Sequence, residues 1–145
     1  MGKYGIGQPV SRFEDPKLLM GKGRYVDDVT LPHQARAFVL RSPVAHAVIK
    51  SIYVEEARNA PGVVLVLTGE EVAERGLGTP LPLVAQKRKD GSNAFVCPQP
   101  LLAKDRVLFV GDNLAFIVAE TVNQAKDAAE LIDVDFDPLP VNVRV

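Results

Sequence analysis

Val107-Leu108-Phe109-Val110-Gly111-Asp112-Asn113-Leu114-Ala115-Phe116-Ile117-Val118-Ala119 is the stretch that decides how this chain folds. Two near-continuous apolar runs flank Gly111-Asp112-Asn113, residues that accept positive φ or bond their own backbone, so the pattern predicts a hairpin buried on both faces. Thr121 then precedes a helical pattern with Gln124 three positions on; its hydroxyl can accept the Gln124 amide while the glutamine side chain reaches back. Val122, Ala125, Ala129 and Ile132 recur at helical spacing, and Ala125, Ala128 and Ala129 are small enough to let the helix lie close on the hairpin. Ile132, Val134 and Phe136 alternate with Asp133, Asp135 and Asp137, the period of a strand with one wet face, and Pro138 and Pro140 stop it.

Upstream, residues 35–41 and 47–54 read as strands that pair as neighbours across a bend at Ser42-Pro43. Residues 55–60 form a short helical piece stopped by Pro61-Gly62, and the unbroken apolar run 63–67 reads as a central strand. Thr68 and Glu71 make a second capping box, opening a helix that Gly76 ends. Strand, helix, strand is thus written twice, around 55–67 and around 121–136, without a repeat at the level of residues. Residues 24–29 are expected as a short edge strand and 15–19 as one helical turn. Residues 1–23, with five glycines, Pro9 and Pro16, are expected as an extended arm. The domain then spans 24–145, with a long loop at 76–105 that holds four prolines, three glycines and Lys87-Arg88-Lys89. A loop of that length is either a mobile surface segment or a partner contact.

The totals bound the class. A chain of 145 residues suits one domain that buries about two thirds of its extended surface. With 47% apolar residues, 24% charged and a net charge of −1, it has the composition of a soluble globular protein and no footprint for nucleic acid. The single cysteine, Cys97, excludes an internal disulfide framework and fits a reducing, cytoplasmic location. No apolar leader opens the chain, and its apolar runs are too short for a transmembrane segment. Met1-Gly2 begins like a myristoylation signal, but Ile6 stands where Ser or Thr is needed.

Each chemical motif fails on a named residue. Gly5-Ile6-Gly7 and Gly21-Lys22-Gly23 lack the third glycine or the Gly-Lys-Ser/Thr ending of a phosphate loop. Asp133, Asp135 and Asp137 imitate a calcium loop, yet Pro138 replaces its glycine and Arg144 its closing glutamate. His33, His46 and Cys97 are too few and too scattered for zinc. No Gly-x-Ser-x-Gly elbow occurs, Ser92 falls in the long loop, and His46 reads as a hydrogen-bonded packing residue rather than a catalytic base. Catalytic, cofactor-binding and metal-ligating residues are therefore assigned to none of the 145 positions.

An ordered series of short pieces carries a resemblance. It comprises Ile6-Gly7-Gln8-Pro9-Val10, Arg12 with Glu14-Asp15-Pro16, Leu18-Leu19 with Gly21, and Gly23-Arg24-Tyr25-Val26-Asp27-Asp28. Arg41-Ser42-Pro43 with Ala45-His46-Ala47, Pro61-Gly62-Val63, Leu102-Ala103-Lys104-Asp105 and Val110-Gly111 follow. Val118-Ala119-Glu120, Ala125 with Asp127-Ala128-Ala129-Glu130-Leu131, and Pro138-Leu139-Pro140 complete it. The series resembles the N-terminal region of the large, molybdenum-cofactor-binding subunit of the xanthine dehydrogenase, aldehyde oxidase and aerobic carbon monoxide dehydrogenase family. Departures at His33-Gln34, Val44 and Asn113 touch turns only.

The resemblance implies an α+β fold, the α/β hammerhead, with a mixed, partly closed sheet and two packed helices from two strand–helix–strand units. It implies a parent oxidoreductase that hydroxylates an aldehyde or purine-like heterocycle with water as oxygen source, or oxidises carbon monoxide. The parent would use molybdopterin cofactor, iron–sulfur clusters and FAD, its pterin loops and catalytic base lying downstream of this region. The piece would then be a scaffold and subunit-contact domain, meeting downstream domains of the same subunit and the iron–sulfur and flavin subunits. Two rivals are a free-standing interaction module of the same fold without catalysis, and a small enzyme using Cys97 or His46.

Overall fold

The computed structural model describes residues 12–80, 86–96 and 99–142. Gly5-Ile6-Gly7, Cys97 and Arg144 lie outside the described residues, as do parts of the expected arm and long loop. Contacts divide the chain into two units, with the boundary between Gln34 and Ala35.

The first unit holds α1 (Asp15–Leu19), with Pro16 in its first turn and the Asp15 carboxylate accepting the Arg12 amide at 3.0 Å. Residues 24–29, expected as an edge strand, instead contain a single 3₁₀ turn, Val26–Asp28. The Asp28 carboxylate accepts the Tyr25 amide at 2.8 Å, a local bond that draws the backbone into a turn before any strand partner can claim it.

The second unit contains β1 (Arg36–Arg41), β2 (Ala47–Tyr53), α2 (Glu55–Arg58), β3 (Val63–Thr68) and α3 (Gly69–Glu74). β4 (Arg106–Val107), β5 (Asn113–Ala119), α4 (Val122–Glu130) and β6 (Asp133–Pro138) follow. The strands form two three-stranded sheets, ordered β1-β5-β3 and β4-β2-β6, with every pair antiparallel. This is the α+β hammerhead, its shared sheet realised as two. Among the described residues no helix is long and apolar enough to cross a membrane.

The expected hairpin does not form. β4 pairs with β2, matching Val107 to Ala47, whereas β5 lies between β1 and β3. The residues between them make a crossing from one sheet to the other, tied down by buried Ser42: its amide donates to the Asp112 carbonyl and its carbonyl accepts the Gly111 amide, both at 2.8 Å. For the same reason β1 and β2 are not neighbours. Ser42 Oγ donates to the Val44 carbonyl at 2.8 Å and accepts the Val44 amide at 3.1 Å, turning the chain out of the first sheet into the second. β3, expected at a sheet centre, lies at an edge, and the central place belongs to the more deeply buried β5.

Each strand–helix–strand unit therefore starts in one sheet and ends in the other: β2–α2–β3 and β5–α4–β6. The units pair reciprocally, β2 with β6 and β3 with β5. The main core gathers Val66, Ile117, Ala125, Ala128, Ala129 and Ile132, and a smaller cluster holds Ala103, Val107 and Leu114. The buried stripe of α4 runs through Ala125, Ala128 and Ala129, leaving Val122, expected on that face, exposed. One turn further on the alanines take the place next to β1 and β5 that the first helical position cannot reach.

Both predicted helix starts are capped. Glu71 accepts the Thr68 amide at 3.0 Å while Thr68 Oγ1 accepts the Glu71 amide at 3.4 Å. Thr121 Oγ1 accepts the Gln124 amide at 3.2 Å, but the Gln124 side chain accepts the Thr121 hydroxyl at 2.8 Å instead of reaching the backbone. The glutamine packs over Gly62, whose missing Cβ leaves the room. β6 keeps its expected alternation, with Val134 and Phe136 half-buried and the three aspartates exposed.

A candidate contact surface

Val107 is fully buried, yet Leu108, Phe109 and Val110 are 53%, 49% and 64% exposed. This apolar tripeptide stands on a ledge that hydrogen bonds hold from several sides. The Asp112 carboxylate accepts the Leu108 amide at 3.1 Å, and the Asp112 amide donates to the Phe109 carbonyl at 3.2 Å. Gly111, at a φ of 89°, donates to Ser42, while the Arg41 guanidinium donates to the Gly111 carbonyl and to Asn113 Oδ1, both at 3.0 Å. Three apolar side chains are thus presented by a turn pinned through Leu108, Phe109, Gly111 and Asp112, which holds them in place for contact.

The segment after β6 runs beside this ledge. The Leu139 amide donates to the His46 carbonyl and His46 Nδ1 bonds the Pro140 carbonyl, each at 2.9 Å. A hollow of about 500 Å³ results, walled by Leu108, Phe109 and Val110 on one side and His46, Pro140 and Val141 on the other. His46 is therefore a clamp on the departing chain, which agrees with its reading as a hydrogen-bonded packing residue. Leu108 also reaches a second hollow of about 560 Å³, where Val72 and Ala73 of α3 face Leu101 and Leu102.

Among the described residues, Ser92 and His33 each sit in local structure of their own unit. Ser92 donates its hydroxyl to Asp90 Oδ1 at 2.7 Å and its amide to the same oxygen at 2.9 Å, closing a tight surface turn. Those two bonds, the hydroxyl foremost, hold the Asp90 carboxyl below its ordinary value. His33 sits at a φ of 57° in the first unit. Among the described residues no three of His, Cys, Asp and Glu cluster in a way that could hold a metal ion. Gly21-Lys22-Gly23 caps the end of α1, where the Gly21 and Lys22 amides already donate to the Leu18 and Lys17 carbonyls. Two of the three amides of that loop are thus used in ending the helix.

Sequence reasoning missed the ledge because it assigned Leu108, Phe109 and Val110 to a buried strand. The available signal was Asp112, a short carboxylate placed to satisfy an amide on the near side of its own turn.

Residues 20–140 match the sequence model of the family described as the aldehyde oxidase and xanthine dehydrogenase a/b hammerhead domain. The carbon monoxide dehydrogenase large chain of Afipia carboxidovorans is 41% identical over 139 residues, covering 96% of this chain and 16% of that one. The nicotine 6-hydroxylase large subunit of Paenarthrobacter nicotinovorans is 38% identical over 136 residues, covering 94% of this chain and 16% of the relative. The crystal structure of a Cu,Mo-CO dehydrogenase in its carbon monoxide reduced state superposes with a TM-score of 0.79 at 40% identity, covering 97% of this chain and 16% of that one. The chain thus spans about 16% of the length of these relatives.

Proposed function

Because the chain belongs to the aldehyde oxidase and xanthine dehydrogenase a/b hammerhead domain family, we propose that it serves as a scaffold and subunit-contact domain of a molybdenum hydroxylase large subunit. The observation that carries this reading is the Leu108-Phe109-Val110 ledge, apolar, exposed and held by hydrogen bonds at its base. A small domain that leaves such residues outside its own core, on a fixed backbone, has the surface that a neighbouring domain or subunit buries. The relatives' names support the setting: large chain, large subunit, and molybdenum-binding subunit.

In this reading the parent oxidises an aldehyde, a purine-like heterocycle or carbon monoxide in the cytoplasm, with molybdopterin and the catalytic base supplied by downstream domains and iron–sulfur and FAD groups by partner subunits. Residues 1–23 act as an arm toward those partners, 24–145 as the domain proper, and no side chain of this piece takes part in the chemistry.

The test is to isolate the natural gene product from its host by affinity tag and measure bound iron, flavin and molybdenum, with and without Phe109→Asp. Burying a carboxylate at the centre of an apolar contact costs enough to lower co-purified iron and flavin by about tenfold, with the far-ultraviolet spectrum unchanged. Iron and flavin at wild-type levels in the variant, or no such groups in the wild type, would remove the contact role.

A further inference from the structure

Ala47 is fully buried in the middle strand of the sheet ordered β4-β2-β6, with Val107 paired on one side and Pro138 on the other. One residue earlier stands His46, where the two flanking chains take different courses. On the β4 side the Leu108 amide turns away to the Asp112 carboxylate, and the ledge begins. On the β6 side the chain stays, because the Leu139 amide donates to the His46 carbonyl at 2.9 Å. His46 therefore sits between the ledge and the segment that leaves β6, in the hollow of about 500 Å³ that those two segments wall.

Proline makes the departing segment hard to hold by backbone bonds alone. Pro138 and Pro140 have no N–H, so residues 138–140 offer a single amide, and the His46 carbonyl has taken it. The Pro140 carbonyl bonds a side chain instead, His46 Nδ1 at 2.9 Å. A carbonyl only accepts, so this bond requires the ring proton on Nδ1, and in the neutral ring Nε2 is then left without one. One residue thus holds the segment twice, by its carbonyl at Leu139 and by its ring at Pro140. Val141, 48% exposed, follows directly and lines the hollow opposite Phe109 and Val110.

We infer that His46 is a positioning residue for the contact surface: its ring, protonated on Nδ1, latches Pro140 and keeps residues 140–142 standing clear of the ledge. Released from the ring, the segment keeps one backbone bond and can lay Val141 on Phe109 and Val110, covering the surface that a partner would use. The inference rests on the contact role proposed above, but the latch is a property of this chain and is tested without a partner.

Asparagine and glutamine separate the roles of the ring, since Asn carries its N–H near the place of Nδ1 and Gln near that of Nε2. In the 145-residue chain, nitrogen NMR should find His46 protonated on Nδ1 at neutral pH. The Leu139 amide should exchange about fivefold faster in His46→Gln and close to the parental rate in His46→Asn, with the rest of the β2–β6 ladder unchanged. In the natural gene product, bound iron and flavin should fall in His46→Gln and hold in His46→Asn. A ring protonated on Nε2, or Leu139 exchange alike in the two variants, overturns the latch whatever becomes of the ledge. Exchange that splits as expected while iron and flavin stay at parental levels in both variants overturns the positioning role and leaves the ledge standing. Phe109→Asp without effect removes the contact reading and this inference with it. Should His46→Gln fail to fold, the protonated nitrogen of the unmodified ring decides alone.

Discussion

At Gly62 the backbone turns out of α2 with a φ of 77°, and the Gln124 side chain occupies the space where a Cβ would sit. Gly62→Ala therefore meets two penalties, a left-handed backbone that L side chains resist and a displaced glutamine, and should cost about 1–3 kcal/mol in urea unfolding. Adding Gln124→Ala should return the part due to displacement and leave the part due to φ; full recovery would show that φ carries no cost here. Asp90 offers a test by titration. Its folded value is lowered, by the Ser92 hydroxyl first and the Ser92 amide second, so its contribution is present above the unfolded value and disappears as pH falls through the folded one. Ser92→Ala should move the Asp90 midpoint upward toward an ordinary carboxylate in an NMR titration. An unmoved midpoint would break the assignment. Gly62 was legible as a turn residue in the sequence, but its partner was not: Gln124 is far from Gly62 along the chain, and no local pattern announces it.

Helix starts are the elements that the sequence disclosed most fully, because a cap is made by residues three apart. Thr121→Ala removes the acceptor of the Gln124 amide and should cost about 1 kcal/mol, read as a lower urea midpoint at constant slope. A midpoint equal to the parent's would mean that another group takes the amide. The aspartate alternation of β6 was legible for the same reason, since burial of every second residue is written locally. Strand partners were a different matter. Val107 and Leu114 are both buried, as a hairpin requires, but they belong to different sheets, and only the bonds among Asp112, Gly111 and Ser42 reveal the crossing. An apolar run marks a segment that needs a cover and says nothing about which segment provides it, which is why β3 was placed at a centre and found at an edge. The ledge was illegible on the same ground: Leu108, Phe109 and Val110 look like core until the chain is seen to run out of neighbours.

For the whole molecule the pairing list leads to a sharper expectation. β1, β2 and β3 make no pair with one another, and neither do β4, β5 and β6; every ladder joins a strand of the first set to one of the second. The core follows the same rule, since Val66 from β3 packs with Ile117 from β5 and the alanines of α4. Neither half can bury its apolar faces or satisfy its strand edges alone, and the capped helices are too short to persist without a sheet beneath them. We therefore expect residues 35–80, made as a separate fragment, to give a coil-like far-ultraviolet spectrum and narrow amide dispersion. The intact chain should melt in one calorimetric transition whose van't Hoff and measured enthalpies agree for the second unit. Because each ladder closes a long loop before any pairing rewards it, folding should be slow for a domain of this size and free of an early stable half. Mixing the 35–80 fragment with one covering 99–145 should restore dispersion if the reciprocal pairing is what specifies the fold. A 35–80 fragment with dispersed amides and a cooperative melt of its own would contradict this account, since it would require strand pairs that the folded chain does not contain.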